Sequence, residues 1–378
     1  MSLADPAPVR AGTTLRAATL DDLDALVALE ERCFSGDRLS RRSFRHLLTR
    51  GHAALQVADT RADLAGYVLL LFSRGTSMAR LYSIAVDPGW RRHGLARALV
   101  DAAEQIALAH DCVSLRLEIR RDNSASQALF RTLGYRPFRT VPDYYEDHMD
   151  ALRFEKRLLP QLPVDLARVP YYHQTLEFTC GPAALMMAMH SLDPSLVPDR
   201  KLELRLWREA TTIFMTAGHG GCSPYGLAIA AYQRGFAVEL HVNERGTFLV
   251  DSVRSPEKKT VMTLVQEDML DELRRLPIAL YHGSLGVDAL QAAFEQGGMP
   301  VVLVSSYRIY RERSPHWVVI TGFDARYVYT HDPYIDHDEG ETVTDSINMP
   351  IPRRDFQRMA RYGRAGQKAV LILRRRDA

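Results

Sequence analysis

One stretch limits the fold of this chain more than any other, the segment VPYYHQTLEFTCGPAALMMAMH from Val169 to His190. After Cys180 it carries small and apolar side chains on every face of a helix, and a helix of that kind is buried. Pro182 suits the first turn because it has no N–H to donate and its φ angle is already set. The sequence therefore predicts an interior helix that begins at Cys180.

The position of Cys180 favours a reactive thiol. Unpaired amides and the helix dipole at a helix N-terminus stabilise a thiolate, which is the nucleophilic form of cysteine. Gln174, in the segment just before the helix, can place an amide N–H beside the same sulfur. Many buried cysteines at helix starts have no function. The choice between a structural and a catalytic Cys180 therefore depends on whether the chain also supplies a histidine and a carboxylate to assist it.

Such partners occur in the downstream segment SPHWVVITGFDARYVYTHDPY. His316 begins one β-rich run and Asp332 ends the next, with a turn at Asp324 and Ala325 between them. A hairpin folded at that turn brings His316 close to Asp332, so that a carboxylate can hold the imidazole while its other nitrogen faces a thiol. The sequence thus predicts a cysteine nucleophile with a histidine base.

With these motifs, residues from about 165 to 378 resemble the C39-like peptidases, which are papain-fold relatives of the bacteriocin-leader peptidases. The resemblance rests on four stretches in the expected order: Gln174, Cys180-Gly181-Pro182-Ala183, His316 to Gly322, and His331-Asp332-Pro333. It implies a peptide or protein substrate and a catalytic set of the nucleophile Cys180, the base His316, its orienting residue Asp332 and the oxyanion donor Gln174.

One feature departs from the leader peptidases. Those enzymes are usually fused to a membrane transporter, whereas this sequence has no segment long or apolar enough to span a bilayer. Cleavage after a double-glycine leader is therefore not implied, and we expect no membrane partner.

The first half of the chain has a different pattern. We predict strands at Thr14 to Ala18, Ala53 to Ala58, Leu64 to Phe72 and Ala79 to Val86, and a helix from Arg41 to Thr49. The turn Arg91-Arg92-His93-Gly94-Leu95-Ala96 then opens a further helix. Its small residues let backbone amides approach a diphosphate, although an ordinary strand-to-helix turn explains the same residues.

Together with the downstream segment LEIRRDNSASQALFRTLGY, this turn resembles the acetyl-CoA pyrophosphate loop of GNAT acetyltransferases. Residues from about 12 to 158 are most similar to the RimI group, the ribosomal-protein N-terminal alanine acetyltransferases. The resemblance implies acetyl-CoA as cofactor and Glu118 as general base. The cofactor-binding residues that it implies are Ala85, Val86, Arg91, Arg92, His93, Gly94, Leu95, Ala96 and Asn123.

Two of these residues have simpler interpretations. Glu118 could be a solvent-facing carboxylate on a strand, and Asn123 could serve only as a helix cap. The sequence also departs from the RimI group at Phe130, where those enzymes carry a tyrosine that protonates the departing CoA thiolate. Loss of a general acid slows a reaction by about two to four orders of magnitude, so slow acetyl transfer and a cofactor sensor are both open.

The composition of the chain bears on which ligands and which cellular compartment to expect. The 48 Lys and Arg residues nearly balance the 46 Asp and Glu residues, so the net charge of +2 gives no reason to expect nucleic acid. The four cysteines are scattered and the N-terminus lacks an apolar signal core, which predicts a reduced, cytoplasmic chain. We expect no metal site, because Cys222 and His219 lack two further ligands at a recognisable spacing.

The two halves predict separate domains of the α/β (α+β) class, a GNAT fold over 1–158 and a papain-like C39-type fold over 169–378. A proline-containing linker is predicted at 159–168. Within the second domain we predict helices at Asp199 to Phe214, Tyr225 to Arg234 and Val287 to Glu295, and strands at Val301 to Ser305 and Lys368 to Leu373.

The expected function is a bifunctional enzyme that hydrolyses a peptide bond and acetylates a peptide or protein amine. Two alternatives stay open: a regulatory protein that binds acetyl-CoA and a peptide, and a thiol enzyme that transfers the acyl group to an amine instead of water.

Overall fold

The computed structural model describes residues 13–49, 52–60, 63–73, 75–158, 165–166, 169–212, 221–243, 246–250, 253–310, 314–336 and 343–376. The chain forms two compact units, Met1–Gln161 and Leu162–Ala378. The division falls inside the segment predicted as a linker, and part of that segment, Asp165–Leu166, pairs with a strand of the second unit. None of the helices in the described ranges is long and apolar enough to cross a membrane.

The first unit alternates short helices with an antiparallel meander. Its elements in chain order are β1 (Thr14–Ala17), α1 (Leu23–Cys33), α2 (Arg41–Thr49), β2 (Ala53–Asp59), β3 (Leu64–Phe72), β4 (Met78–Val86), α3 (Leu95–Ala109), β5 (Ser114–Arg120), α4 (Ser124–Thr132), β6 (Arg136–Val141) and β7 (Ala151–Arg157). The run from Leu64 to Leu70 in β3 is continuously apolar, and such a run suits a strand that is covered on both faces. Every residue of it is buried, and β3 lies between β2 and β4 in the sheet.

The described strands of the first unit form one sheet in the order β1-β2-β3-β4-β5-β7-β6. Neighbouring strands are antiparallel except β4 and β5, which run parallel. These two strands pair only between 78–80 and 114–116, although β4 continues to Val86 and β5 to Arg120. Beyond the three paired positions the strands separate and leave a wedge in the sheet.

The second unit places most of its helices around a larger sheet. Its elements are β8 (Asp165–Leu166), α5 (Cys180–Leu192), α6 (Arg200–Ala210), α7 (Pro224–Gln233), β9 (Phe236–Val242), α8 (Pro256–Arg274), β10 (Ala279–His282), α9 (Val287–Glu295), β11 (Met299–Ser305), α10 (Tyr307–Tyr310), β12 (Pro315–Phe323), β13 (Tyr327–His331), α11 (Val343–Ser346), β14 (Met349–Pro352), α12 (Arg353–Met359) and β15 (Ala369–Arg375). The described strands follow the order β10-β9-β15-β11-β12-β13-β14, and β8 adds to β12.

The predicted interior helix is confirmed. Every side chain of α5 from Ala184 to Met189 is fully buried, and the helix packs against β11 and β12. Such a helix has no polar face to offer solvent, so it occupies the centre of the core while the amphipathic α6 flanks it.

One helix is shorter than its sequence pattern predicts. The expected helix from Asp199 to Phe214 ends at Ala210, because Thr211 adopts an extended backbone and forms a β-bridge with Cys222. Branched side chains such as that of threonine favour this extended conformation.

Two candidate active sites

The β12–β13 hairpin brings His316 and Asp332 together. Nε2 of His316 lies 2.6 Å from Oδ1 of Asp332, and both side chains are buried. The His316 ring also hydrogen-bonds to Cys180, which lies at the N-terminus of α5. Because Nε2 is bonded to Asp332, Nδ1 is the ring nitrogen left for the thiol. The structure therefore joins three of the predicted residues in one hydrogen-bonded chain.

The charges around His316 favour its protonated form. Burial by itself would lower the pKa of His316, but the negative charges of Asp332 and Cys180 outweigh burial and raise this pKa to about 10. A ring with such a pKa keeps its proton at neutral pH and presents a positive charge to the sulfur of Cys180. Oδ1 of Asp332 also accepts the backbone N–H of Tyr334 at 2.8 Å, which fixes the carboxylate.

Gln174 lies in the segment that leads into α5. Its backbone N–H donates to the Pro333 carbonyl at 2.9 Å, so this glutamine is tied to the turn that follows Asp332. Its side chain is buried, Nε2 donates to the Leu176 carbonyl at 2.9 Å, and Oε1 finds no hydrogen-bond partner among the described residues. One side-chain N–H is thus committed to the protein, and the second is the one that an oxyanion would use.

Gly181 explains why a glycine follows the cysteine. A Cβ at this position would lie 3.0 Å from Cβ of Cys222 and 3.2 Å from the Trp317 ring, so a side chain here would require these tightly packed neighbours to move. Cys222 itself is buried, and burial raises the pKa of its thiol. All four cysteines, which fall in described ranges, carry free thiols.

His219, the other member of the possible metal pair, falls outside the described residues. Within the described ranges, no group of three His, Cys, Asp or Glu side chains is arranged to hold a metal ion.

Sequence reasoning missed Glu203, a fully buried carboxylate on α6. It accepts hydrogen bonds from the hydroxyl groups of Tyr172, Thr175 and Thr179 and from the backbone N–H of Thr175. All these donors belong to the segment that carries Gln174 and ends at Cys180. The available signal was its spacing, since Glu203 lies on the same helix face as the buried Leu206 and Ala210.

In the first unit, the wedge between β4 and β5 is a cavity of about 750 Å³. Residues from Leu81 to Ile84 line one side and residues from Leu117 to Arg120 the other. Because these strand edges pair with no neighbouring strand, their backbone groups are available to an extended ligand.

The turn after β4 follows the end of this strand that is not paired with β5, and its residues 87–96 do not line the cavity. Gly94 has a φ of +76° as the N-cap of α3, and a Cβ there would meet nothing within 4 Å. The side chains of Arg91, Arg92 and His93 are exposed beside the first amides of α3. Positive side chains, a left-handed glycine and a helix N-terminus fit a diphosphate, and the unpaired strand edges fit the chain attached to it.

Ala85, Val86 and Asn123 are the other predicted cofactor residues. Ala85 and Val86 end β4, and the Val86 carbonyl accepts Nε of Arg91 at 3.3 Å. Asn123 lines the cavity, while its side-chain oxygen accepts the Ser126 N–H at 3.0 Å, which is the capping role.

Glu118 also lines the cavity, but it is not the solvent-facing carboxylate that its strand position allowed. Its side chain is 4% exposed and lies between two buried arginines. Oε2 is 2.9 Å from Nε of Arg80, and Oε1 is 3.3 Å from Nε of Arg153. The two guanidinium groups thus provide buried counter-charges to this carboxylate.

The aromatic residues near the wedge differ in role. Phe130 is buried and packs edge-on against Tyr135, whose hydroxyl donates to Glu104 at 3.0 Å, so Tyr135 belongs to the core. Tyr144 accepts a hydrogen bond from Arg80 at 2.6 Å, and burial raises the pKa of Tyr144 to about 12. Tyr145 lines the cavity with Glu118 and Phe130, and burial raises its pKa as well.

Comparison with known families gives two matches that follow the two units. The family model described as "Peptidase_C39 like family" matches residues 169–374, just over half of the chain. The model described as "Acetyltransferase (GNAT) family" matches residues 23–135, so the first unit contains a GNAT domain. Acetyltransferases of the GNAT family use acetyl-CoA. The mixed α/β class predicted from the sequence is confirmed for both halves.

Individual relatives resemble the first half. A Bacillus subtilis protein, provisionally named [ribosomal protein bS18]-alanine N-acetyltransferase, is 26% identical over 134 residues, which are 35% of this chain and 87% of that protein. The Salmonella typhimurium enzyme of that name is 36% identical over 77 residues, 20% of this chain, and the match spans only 52% of its length. The crystal structure of the Escherichia coli ribosomal-protein-S18-alanine N-acetyltransferase is 25% identical, with a TM-score of 0.36, and covers 39% of this chain and 94% of that chain.

Proposed function

This chain belongs to the Peptidase_C39 like family through residues 169–374, and from that premise we propose that its second unit hydrolyses a peptide or isopeptide bond through an acyl-enzyme on Cys180. The observation that supports this proposal is the hydrogen-bonded chain from Asp332 through His316 to the thiol at the start of α5.

The proposed hydrolysis follows from the hydrogen bonds that link Asp332, His316 and Cys180. The Cys180 thiolate attacks the carbonyl carbon, and the oxyanion that forms accepts the free N–H of Gln174 and an amide at the N-terminus of α5. His316 gives its Nδ1 proton to the leaving amine, which departs and leaves a thioester. His316 then takes a proton from the attacking water, the carboxylic acid is released, and the thiolate is restored. Asp332 keeps the ring in place throughout.

For the first unit we propose transfer of an acetyl group to the N-terminal amine of a peptide or protein. Acetyl-CoA supplies the acetyl group as a thioester. The turn from Arg91 to Ala96 would hold its diphosphate, and the unpaired edges of β4 and β5 would hold its extended arm. Glu118, directly or through a water molecule, would take the amine proton as the new C–N bond forms. The C–S bond of the thioester would break, and CoA would leave as a thiolate that takes a proton from water. The curated relatives are named for alanine acetylation, so an N-terminal alanine is the proposed acceptor.

These two activities together make a bifunctional processing enzyme. Hydrolysis by the second unit creates a new N-terminal amine, which is the kind of group that an N-acetyltransferase modifies. The proposed compartment is the cytoplasm, where the thiol at Cys180 would stay reduced.

An unbiased peptide-library digest tests the hydrolase. Wild type, Cys180→Ala and the control Cys33→Ala are compared by mass spectrometry with the full chain. We expect wild type and Cys33→Ala to cleave and Cys180→Ala to be inactive. Cleavage that persists in Cys180→Ala would assign the activity to another site. Glycinamide added to the same digest distinguishes capture of the thioester by water from capture by an amine. Products that carry glycinamide would show acyl transfer and would contradict hydrolysis as the main reaction.

A thermal-shift titration tests the acetyltransferase site. A ligand at a hundred times its Kd stabilises the folded state by about 2.7 kcal/mol, so saturating acetyl-CoA should raise the Tm of the wild type. The Arg91→Ala/Arg92→Ala double variant should lose most of this shift, while Arg45→Ala, an exposed arginine on α2, should keep it. The absence of any shift in the wild type would remove the cofactor from the proposal.

A further inference from the structure

A second cavity in the C-terminal unit is unusually rich in positive charge. Its volume is about 800 Å³, and five cationic side chains line it: Arg254, Lys259, Arg358, Arg361 and Arg364. Among the described residues that line it there is no aspartate or glutamate. The five residues come from the start of α8, the end of α12 and the turn before β15, so the fold, and no single charged run, collects them.

Among the described residues, the ion pair that involves these five cations is a weak one. Arg358 lies 3.7 Å from Asp355 on the same helix, and an ion pair of this exposed kind contributes little. Five like charges around one cavity repel each other, and a concave surface concentrates their field. An anionic ligand relieves this repulsion, so the cavity has the chemistry of an anion-binding site.

The cavity lies at the same end of the sheet as His316. Ser305, the last residue of β11, lines the cavity and pairs with Pro315, while Val304 pairs with His316 itself. On the other side of β11, Val302 pairs with Val370 of β15. The turn that carries Arg361 and Arg364 comes directly before β15 and so projects from this same end.

The lining also indicates the size and kind of anion. The charges come from several segments of the chain, and a space of about 800 Å³ exceeds what a single phosphate fills. Tyr307, Tyr362 and Met359 add aromatic and apolar surface between the charges. Several carboxylates spread along a flexible chain, with apolar side chains between them, match such a lining better than one compact multivalent ion.

We propose that this cavity is a subsite of the peptide groove, and that it binds aspartate or glutamate side chains of the substrate close to the bond that Cys180 attacks. The proposal rests on the hydrolase function proposed above and adds its substrate class, an acidic peptide. The arginines at the rim would attract such a peptide over a distance and fix its register in the groove.

Binding measurements on full-length Cys180→Ala protein test the subsite without requiring turnover. Two fluorescein-labelled peptides of equal length are compared by anisotropy, one with three glutamates and one with glutamines at the same positions. We expect the glutamate peptide to bind about tenfold more tightly. Adding Arg361→Ala and Arg364→Ala should weaken its binding about fivefold to tenfold, as expected for two lost charge contacts near the surface. The control Arg354→Ala, an exposed arginine on α12 outside the cavity, should leave binding unchanged.

The variants Arg254→Gln and Lys259→Gln, on another segment of the lining, repeat the test independently of the first pair. Equal affinity for the two peptides, or displacement of both peptides by inorganic phosphate alone, would overturn the acidic-peptide subsite. Hydrolysis is scored separately with the wild type. Cleavage without preference for acidic sequences would reject the subsite and keep the hydrolase. Charge-dependent binding without any cleavage would reject the hydrolase and leave the cavity as a binding site for acidic peptides alone.

Discussion

Nε2 of His316 is bonded to Oδ1 of Asp332 at 2.6 Å, which leaves the other nitrogen of the same ring to Cys180. This contact fixes which ring nitrogen faces the thiol, so proton transfer in the proposed hydrolysis would run through Nδ1. The Asp332 carboxylate is bonded to the ring nitrogen that does not face Cys180, and from there it stabilises the imidazolium.

The first prediction is that Cys180 reacts with iodoacetamide faster than the other three cysteines near neutral pH. Burial raises the pKa of Cys33, of Cys112 to about 12, and of Cys222, so these thiols hold little thiolate. Limited alkylation followed by mass spectrometry measures all four rates in one sample. His316→Ala should slow Cys180 and leave the others unchanged. Equal rates at all four sites would refute an activated thiol.

The second prediction concerns pH. The pKa of His316 is raised from 6.5 to about 10, so the imidazolium stabilises the fold fully below pH 6.5, and this stabilisation is lost as the pH rises towards 10. Asp332→Asn removes the negative charge and should return the pKa of His316 towards its ordinary value. Histidine-selective NMR titration, with His316→Ala to identify the signal, measures it. Asp288→Asn, which alters an exposed carboxylate, is the control. An unchanged titration in Asp332→Asn would contradict the charge argument.

Glu203 supplies the third prediction. Glu203→Gln replaces an acceptor of four hydrogen bonds with a group that must present an N–H to one of its donors, which costs about 1–3 kcal/mol. The segment from Tyr172 to Thr179 should then shift, and a shift of about 1 Å lowers the rate up to a hundredfold. We expect kcat to fall with KM nearly unchanged, at a temperature where circular dichroism shows a folded protein.

The matched control for that experiment is Glu209→Gln. Glu209 lies on the same helix, pairs with Arg234 near the surface, and touches none of the active-site residues named above. Its loss should change stability by less than about 0.5 kcal/mol and leave kcat alone. If both variants lowered kcat equally, Glu203 would have no special positioning role.

The fourth prediction separates two roles of Glu118. Glu118→Gln leaves Arg80 and Arg153 without their buried counter-charge, which costs about 3–5 kcal/mol in the free energy of unfolding. If Glu118 also takes the amine proton, the variant that is still folded should acetylate about 10²–10⁴-fold more slowly. Urea unfolding and acetyl-transfer rates on an alanine-initiated peptide measure the two effects. A destabilised variant with an unchanged rate would leave Glu118 as a structural partner of the arginines alone.

The fifth prediction is a gain of function. Phe130→Tyr places a phenol at the wall of the wedge that also carries Glu118, and a phenol can protonate a thiolate where a phenyl ring cannot. Acetyl transfer should increase by about two orders of magnitude if the missing acid limits turnover. Phe138→Tyr, on an exposed position of β6, should have no effect. No increase with Phe130→Tyr would mean that another group or water supplies the proton.

The sequence alone determined the elements whose signals are local. The run after Cys180 is apolar on every side, and a helix without a polar face can only lie in the core. His316 lies at the start of β12 and Asp332 directly follows β13, and a tight turn joins the two strands, so their approach followed from hairpin geometry. The glycine turn before α3 was readable for the same reason, because its left-handed backbone and the helix start are neighbours in the chain.

Only the tertiary structure decided contacts between side chains far apart in sequence. Glu203 reaches Thr179 from another helix, and the Glu118 carboxylate meets Arg80 and Arg153 because three strands lie side by side in the sheet. The wedge forms because β4 and β5 stop pairing after three positions, and no residue pattern in either strand predicts where this pairing ends. The basic cavity likewise assembles arginines from separate segments. Burial and charge pairing depend on the distances between side chains in the packed structure. The pattern of residues along the sequence does not give these distances.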